Sequence, residues 1–139
     1  MRVSEIMTRD VDVVSPEATL FEAAALMARD DVGVLPIGHE RKLAGILTDR
    51  DIVVRGVAHG KNPATTPVKD VMTPELIFVF EDQDVQQAAF LMSSRQVRRL
   101  PVLDRRHCLV GIVSLGDLAQ HDDDEERLSV TLQSVSEPT

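Results

Sequence analysis

The chain is a tandem repeat, and this constrains its fold more than any other feature. At an offset of 65 residues, Val3, Met7 and Thr8 fall on Val68, Met72 and Thr73, and Val14 falls on Val79. Ala23, Ala24, Leu26 and Met27 fall on Ala88, Ala89, Leu91 and Met92, while Val32, Leu35 and Pro36 fall on Val97, Leu100 and Pro101. One further residue is inserted inside a turn. At the resulting offset of 66, Gly45, Ile46 and Asp51 meet Gly111, Ile112 and Asp117, with Thr48 opposite Ser114. So many matches on one diagonal, with a single shift at a turn, describe two copies of one unit. The expected organisation is repeat 1 over 1–58, a polar Pro-containing linker over 59–67, repeat 2 over 68–121, and an acidic tail over 122–139.

Each copy reads as the same series of elements. "VSEIMT" and "VKDVMT" are short helical turns, and "VDVVS" and "LIFVF" read as strands. Leu20, Ala23, Ala24 and Met27 recur at helical spacing, as do Val85, Ala88, Ala89 and Met92, with Thr19 and Asp84 as N-caps. "VGVLPI" and "LAGILT" form a hairpin, as do "VRRLPV" and "LVGIVS"; "DRDIVVRGVA" and "LGDLAQ" then read as helices. The fold class is therefore α/β (α+β), with the order β-α-β-β-α twice over. A single such unit buries too little area for a core of its own, and two together solve that. In the tail, Leu128, Leu132 and Val135 keep helical spacing behind a run of acids, which predicts a short C-terminal helix over about 123–134.

The two copies share the motif Gly-h-h-[Thr/Ser]-x-x-Asp, where h is apolar. Strand, then hydroxyl, then helix start places Thr48 and Ser114 at N-caps and Asp51 and Asp117 on the first turns. Such a spacing is a capping box, worth about 1 kcal/mol for the cap alone, and capping is expected in both copies. The same geometry has a second use. A helix start offers unpaired N–H groups to a phosphate, and a carboxylate can accept a hydrogen bond from each of two vicinal hydroxyls. Gly45 and Gly111 leave room for the close approach of another backbone or a flat ring. Arg50 and Arg55 could offset phosphate charge in copy one and have no basic counterpart in copy two.

The ordered, duplicated motif set resembles the tandem cystathionine-β-synthase (CBS) domain pair, the Bateman module, over residues 3 to 120. The matching residues are Gly45, Ile46, Leu47, Thr48 and Asp51, then Gly111, Ile112, Val113, Ser114 and Asp117, with "LP" before each hairpin and "MT" before each first strand. The stretches "LTDRDIVVRGVAHGKNP" and "QVRRLPV" are similar to small stand-alone bacterial CBS-pair proteins of the hypoxic response type, which implies a role in stress response. The resemblance also implies two repeats related by a pseudo-two-fold, with clefts between them that take adenosine nucleotides (AMP, ADP, ATP) or S-adenosylmethionine. It implies that Asp51 and Asp117 meet ribose hydroxyls, that Thr48 and Ser114 meet ribose or phosphate, and that the base enters an apolar slot beside Ile46 and Ile112. On the family's cross-repeat geometry, Ser114 and Asp117 face Val32 and Gly33, and Thr48, Arg50 and Asp51 face Val97 and Arg98. Arg98 then biases its cleft toward more highly charged ligands. A homodimer and a protein partner of unknown identity are implied as well.

Composition narrows the alternatives. No apolar run approaches the ~20 residues of a membrane span, and the N-terminus lacks the apolar core of a signal peptide, so a cytoplasmic protein is expected. Net charge is −8, of which residues 122–139 carry −5. With no Trp or Tyr for stacking, that balance disfavours nucleic acid despite Arg95, Arg98, Arg99, Arg105 and Arg106. One cysteine, Cys108, excludes an intrachain disulfide, and four scattered histidines give no metal-ligand spacing. No nucleophile elbow, P-loop or metalloprotease motif is present, so neither catalysis nor a cofactor is expected. The reading is a non-enzymatic sensor of adenosine compounds. The alternative is a structural protein-interaction module with empty clefts, and a nucleotide hydrolase is a weaker third.

Overall fold

The computed structural model describes residues 1–121, so the C-terminal helix expected over 123–134 lies outside the described residues. The chain packs as two compact units, Asp12–Leu76 and Met1–Val11 together with the residues from Ile77 on. These units do not coincide with the sequence copies. The leading segment of copy one packs in the unit built from copy two, and the leading segment of copy two packs in the unit built from copy one.

In the Asp12–Leu76 unit, α1 (Leu20–Asp30) is followed by the antiparallel pair β1 (Val34–His39) and β2 (Lys42–Thr48). Thr19 caps α1: its hydroxyl accepts the Glu22 N–H at 3.2 Å, and the Glu22 carboxylate accepts the Thr19 N–H at 3.3 Å. A left-handed Asp31 ends the helix. Leu20, Ala23 and Met27 point into a core with Leu35, Ile37, Leu47, Val68 and Val71, whereas Ala24 is exposed. Past β2, α2 (Asp49–Asp51) widens into a π-helical turn, Ile52–Gly56, and a 3-10 turn, Val57–His59. The wide turn carries the Gly56 backbone onto α1, where a Cβ would come within 3.0 Å of Leu20 Cδ1.

The second unit repeats this plan with β3 (Val79–Phe80), α3 (Val85–Arg95), β4 (Arg99–Leu103), β5 (Leu109–Ser114) and α4 (Leu115–His121). Asp84 caps α3 by accepting the Gln86 N–H at 2.8 Å, and Gln87 returns the contact to the Asp84 N–H at 3.0 Å. Val85, Ala88, Ala89 and Met92 enter a core with Val3, Ile6, Met7, Leu100, Val102, Val113 and Leu118. Arg105 clasps the hairpin turn of this unit: its guanidinium makes two hydrogen bonds to Asp82 at 2.8 and 2.9 Å and lies over the Phe80 ring. The Asp82 carboxyl is held below its ordinary range by that hydrogen bond.

The first strand of each copy is shorter than its sequence suggests, and unequally so. "VDVVS" contracts to a parallel bridge from Val14 to Ile37, whereas Val79 and Phe80 pair with Val102 and Leu103. Proline accounts for the difference. The ladder in copy two continues with the Glu81 N–H donating to the Leu103 carbonyl at 2.9 Å. The position equivalent to Glu81 in copy one is Pro16, which has no N–H to give.

The leading segments close the sheets. Thr73 exchanges backbone hydrogen bonds with Ile46 at 2.8 and 2.9 Å, and Thr8 exchanges the same pair with Ile112 at 2.8 and 2.9 Å. Glycine makes that approach possible. A Cβ on Gly45 would sit 2.6 Å from the Thr73 carbonyl oxygen, and one on Gly111 would sit 2.7 Å from that of Thr8. Gly45→Ala is therefore expected to destabilise the fold by about 1–3 kcal/mol. Gly116→Ala in α4, whose Cβ would meet nothing closer than Ser114 Oγ at 3.7 Å, is expected to be neutral or stabilising by up to about 1 kcal/mol. Urea unfolding of the two variants measures the contrast.

Candidate functional site

Both strand-to-helix motifs close as capping boxes. Thr48 Oγ1 accepts the Asp51 N–H at 3.0 Å, and Asp51 Oδ2 accepts the Thr48 N–H at 3.0 Å. Ser114 Oγ accepts the Asp117 N–H at 3.1 Å, and Asp117 Oδ2 accepts the Ser114 N–H at 2.8 Å. These reciprocal bonds fix each carboxylate at the end of a strand with one oxygen committed to the cap. Asp51 is the one buried charged residue among the described residues. It also receives the Thr73 hydroxyl on Oδ2 at 3.4 Å and faces Arg55 Nε across 3.9 Å. Asp117 is half-buried.

The segments expected to face the motifs are placed by hydrogen bonds within each unit. The Asp49 N–H donates to the Gly33 carbonyl at 2.9 Å, so Val32 and Gly33 lie beside Thr48, Arg50 and Asp51. The Leu115 N–H donates to the Arg98 carbonyl at 2.8 Å, so Val97 and Arg98 lie beside Ser114 and Asp117. This reverses the pairing that the family's cross-repeat geometry suggested. The reason is local: Val34 pairs with Thr48, and Arg99 pairs with Ser114, as the outermost rungs of their own hairpins. Ile46 and Ile112 are half-buried in the strands that lead into the motifs, bonded to Thr73 and Thr8. Arg50 and Arg98 are exposed. Val32 and Val97 pack against the cores of their respective units.

Two contributors escaped the sequence reading. Thr73 reaches Asp51 from 22 residues away, and its only signal was the duplicated "MT" at Met7–Thr8 and Met72–Thr73. Asp49 stands over Gly33, its Oδ2 3.0 Å from where a Cβ would lie; nothing in the spacing announced this. Among the described residues, no group of three His, Cys, Asp or Glu is placed to hold a metal ion. Cys108 is half-buried in a hairpin turn, with its N–H on Asp104. No described helix is long and apolar enough to cross a membrane.

The CBS domain model matches residues 3–56 and again 68–124. The chain belongs to the CBS-domain family. Its tandem pair is 42% identical over 134 residues to the CBS domain-containing protein YhcV of Bacillus subtilis, covering 96% of this chain and 94% of YhcV. It is 40% identical over 118 residues to Hypoxic response protein 1 of Mycobacterium tuberculosis, covering 84% and 82% of the two chains. The crystal structure of Hypoxic Response Protein I with two coordinated zinc ions aligns with a TM-score of 0.80 at 38% identity, over 87% of this chain and 98% of that one. The CBS domain pair of protein MJ0100, in complex with 5′-methylthioadenosine and S-adenosyl-L-methionine, aligns with a TM-score of 0.76 at 29% identity, over 86% and 94%. CBS pairs are regulatory ligand-binding modules, and the mixed α/β repeat expected from sequence is the fold of this one.

Removing a cap hydroxyl tests the structural half of each motif. Thr48→Ala and Ser114→Ala are each expected to lower stability by about 1 kcal/mol. Thr48→Ser should retain most of it, as read by thermal unfolding of the three variants.

Proposed function

We propose that this CBS pair is a non-enzymatic regulatory module that binds an adenosine-containing ligand at its strand-to-helix motifs and signals ligand state to a partner protein. The carrying observation is the repeated capping box, which holds an aspartate rigidly at a strand end in both units. A carboxylate already oriented by the backbone meets a ribose diol without further ordering of its side chain, so binding loses little conformational entropy. The adenosine compounds bound by the MJ0100 pair support that ligand class, with AMP, ADP, ATP and S-adenosylmethionine as the candidates. The relatives spanned almost end to end by this chain, YhcV among them, support a module that acts on another protein. Ligand can shift such a module only through contacts that differ between its states, and the partner reads the shift. The expected setting is the cytoplasm.

The Asp12–Leu76 unit also exposes Phe21 at 65%, Val57 at 61% and Val53 at 58% on α1 and the turns after α2. Apolar exposure of this kind marks an association surface, and it supports a homodimer.

Lack of Tyr and Trp makes the ligand easy to detect. An adenine absorbance band that survives gel filtration of the purified protein, with mass spectrometry of the released compound, would identify the ligand. At roughly a hundredfold excess over Kd, a true ligand adds about 2.7 kcal/mol to stability and raises the melting temperature by several degrees. If no adenine compound co-purifies and AMP, ADP, ATP and S-adenosylmethionine all leave melting unchanged, the chain is an interaction module with no such ligand. For the dimer, Phe21→Glu is expected to shift the protein to monomer in sedimentation, with its melting transition retained.

A further inference from the structure

The two motifs are copies in sequence but differ in chemistry. Asp51 is engaged inside the protein. Its Oδ2 takes both the Thr48 N–H and the Thr73 hydroxyl, its Oδ1 faces Arg55 Nε at 3.9 Å, and its side chain is 12% exposed. Arg55 is itself held, donating to the Met72 carbonyl at 3.4 Å. A ribose hydroxyl reaching Asp51 would have to displace Thr73 or Arg55. A phosphate there would also meet Asp49, whose carboxylate stands over Gly33, with exposed Arg50 as the other charge nearby.

Asp117 has a different environment. Its Oδ2 accepts the Ser114 N–H at 2.8 Å, and among the described residues no ion pair or further acceptor bond engages its Oδ1. Thr8, the counterpart of Thr73, makes the same backbone bridge to Ile112, but its hydroxyl is not bonded to Asp117. The residue at the Arg50 position is Gly116, with open space around it. Arg98 and Arg99, both exposed, stand at the positions of Gly33 and Val34, and Arg99 pairs with Ser114.

We infer that the Ser114–Asp117 motif is the one that receives the ribose of a nucleoside phosphate, and that Thr73 and Arg55 hold the Thr48–Asp51 motif closed. This rests on the adenosine ligand proposed above and adds which motif takes it, in which charge class, and which residues block the other. The physical ground is acceptor capacity. An aspartate with a free oxygen can take a second hydroxyl, whereas one already bonded at both oxygens must first lose a partner. Charge acts in the same direction, because two guanidinium groups flank Ser114 and carboxylates crowd Thr48.

Calorimetric titration of the full chain with ADP and with adenosine tests the inference. Wild type is expected to take one ADP per chain, more tightly than adenosine. Asp117→Asn, which keeps an acceptor for the Ser114 N–H, should weaken ADP by about tenfold or more, as the loss of a hydrogen bond to a charged group implies. Arg98→Ala should reduce the preference for ADP over adenosine. The double variant Thr73→Val with Arg55→Ala should gain a second equivalent of adenosine. Unchanged ADP affinity in a folded Asp117→Asn protein overturns the inference and leaves the adenosine reading standing. An unchanged ADP preference in Arg98→Ala overturns the charge assignment, and a double variant still saturating at one equivalent overturns the block by Thr73 and Arg55. If wild type binds neither ADP, adenosine nor S-adenosylmethionine, the adenosine reading falls and the inference falls with it.

Discussion

The structure depends on a close backbone approach at two glycines. Thr73 and Thr8 each exchange a pair of backbone hydrogen bonds with the residue that follows Gly45 or Gly111, and each carbonyl lies where a Cβ would intrude. This contact completes the sheet edge at the strand that ends in the capping motif. It also joins each leading segment to the repeat that it does not precede in sequence. Neither unit is therefore a continuous stretch of chain: Met1–Val11 belongs with the strands from Ile77 on. The glycine of the shared motif is a packing residue first. It admits the crossing segment, and the crossing segment brings the threonine that reaches Asp51.

Much of this was legible because duplication makes weak signals additive. Each of Gly-h-h-Thr, the Ala-rich helical stripe and the "LP" before a hairpin is common alone, but their recurrence in order defined elements, caps and the family. The capping boxes at Thr19, Thr48, Asp84 and Ser114 followed from side-chain chemistry at fixed short spacing, which is the range where sequence determines contacts most directly. The exchange of leading segments was not legible. Identical copies pack equally well by either assignment on pattern alone, so periodicity cannot say which copy Val3 or Val68 will enter. The truncation at Val14 turns on one missing N–H at Pro16. The pairing of Gly33 with Asp49 and of Arg98 with Leu115 follows from hairpin register, which the family's cross-repeat picture had set aside.

Capping and ligand recognition use the same atoms, so the two roles are coupled. The N–H groups that a ligand phosphate might have met at the helix starts are partly consumed by Thr48 and Ser114, and one oxygen of each aspartate is consumed by the return bond. What remains for a ligand is the outer face of the carboxylate and whatever cations the flanking strand supplies. A module of this kind can gain or lose a ligand site without altering its fold, because the cap persists whether or not the second oxygen is free.

That separation explains how two copies can diverge in function under one architecture. The capping bond at Asp51 and its equivalent at Asp117 differ by only 0.2 Å in length, 3.0 against 2.8 Å. Their surroundings differ in kind, through residues that lie off the motif: Thr73 from the crossing segment, Arg55 one turn along the widened helix, Asp49 against Gly33. The π-helical turn matters here, since it retains Arg55 within reach of Asp51 while seating Gly56 on Leu20. An extra residue per turn at functional positions is a recurrent way to redirect a side chain without breaking the helix. In this chain it turns a guanidinium back onto the carboxylate of its own motif, so that an internal cation occupies the place where a ligand hydroxyl would bind.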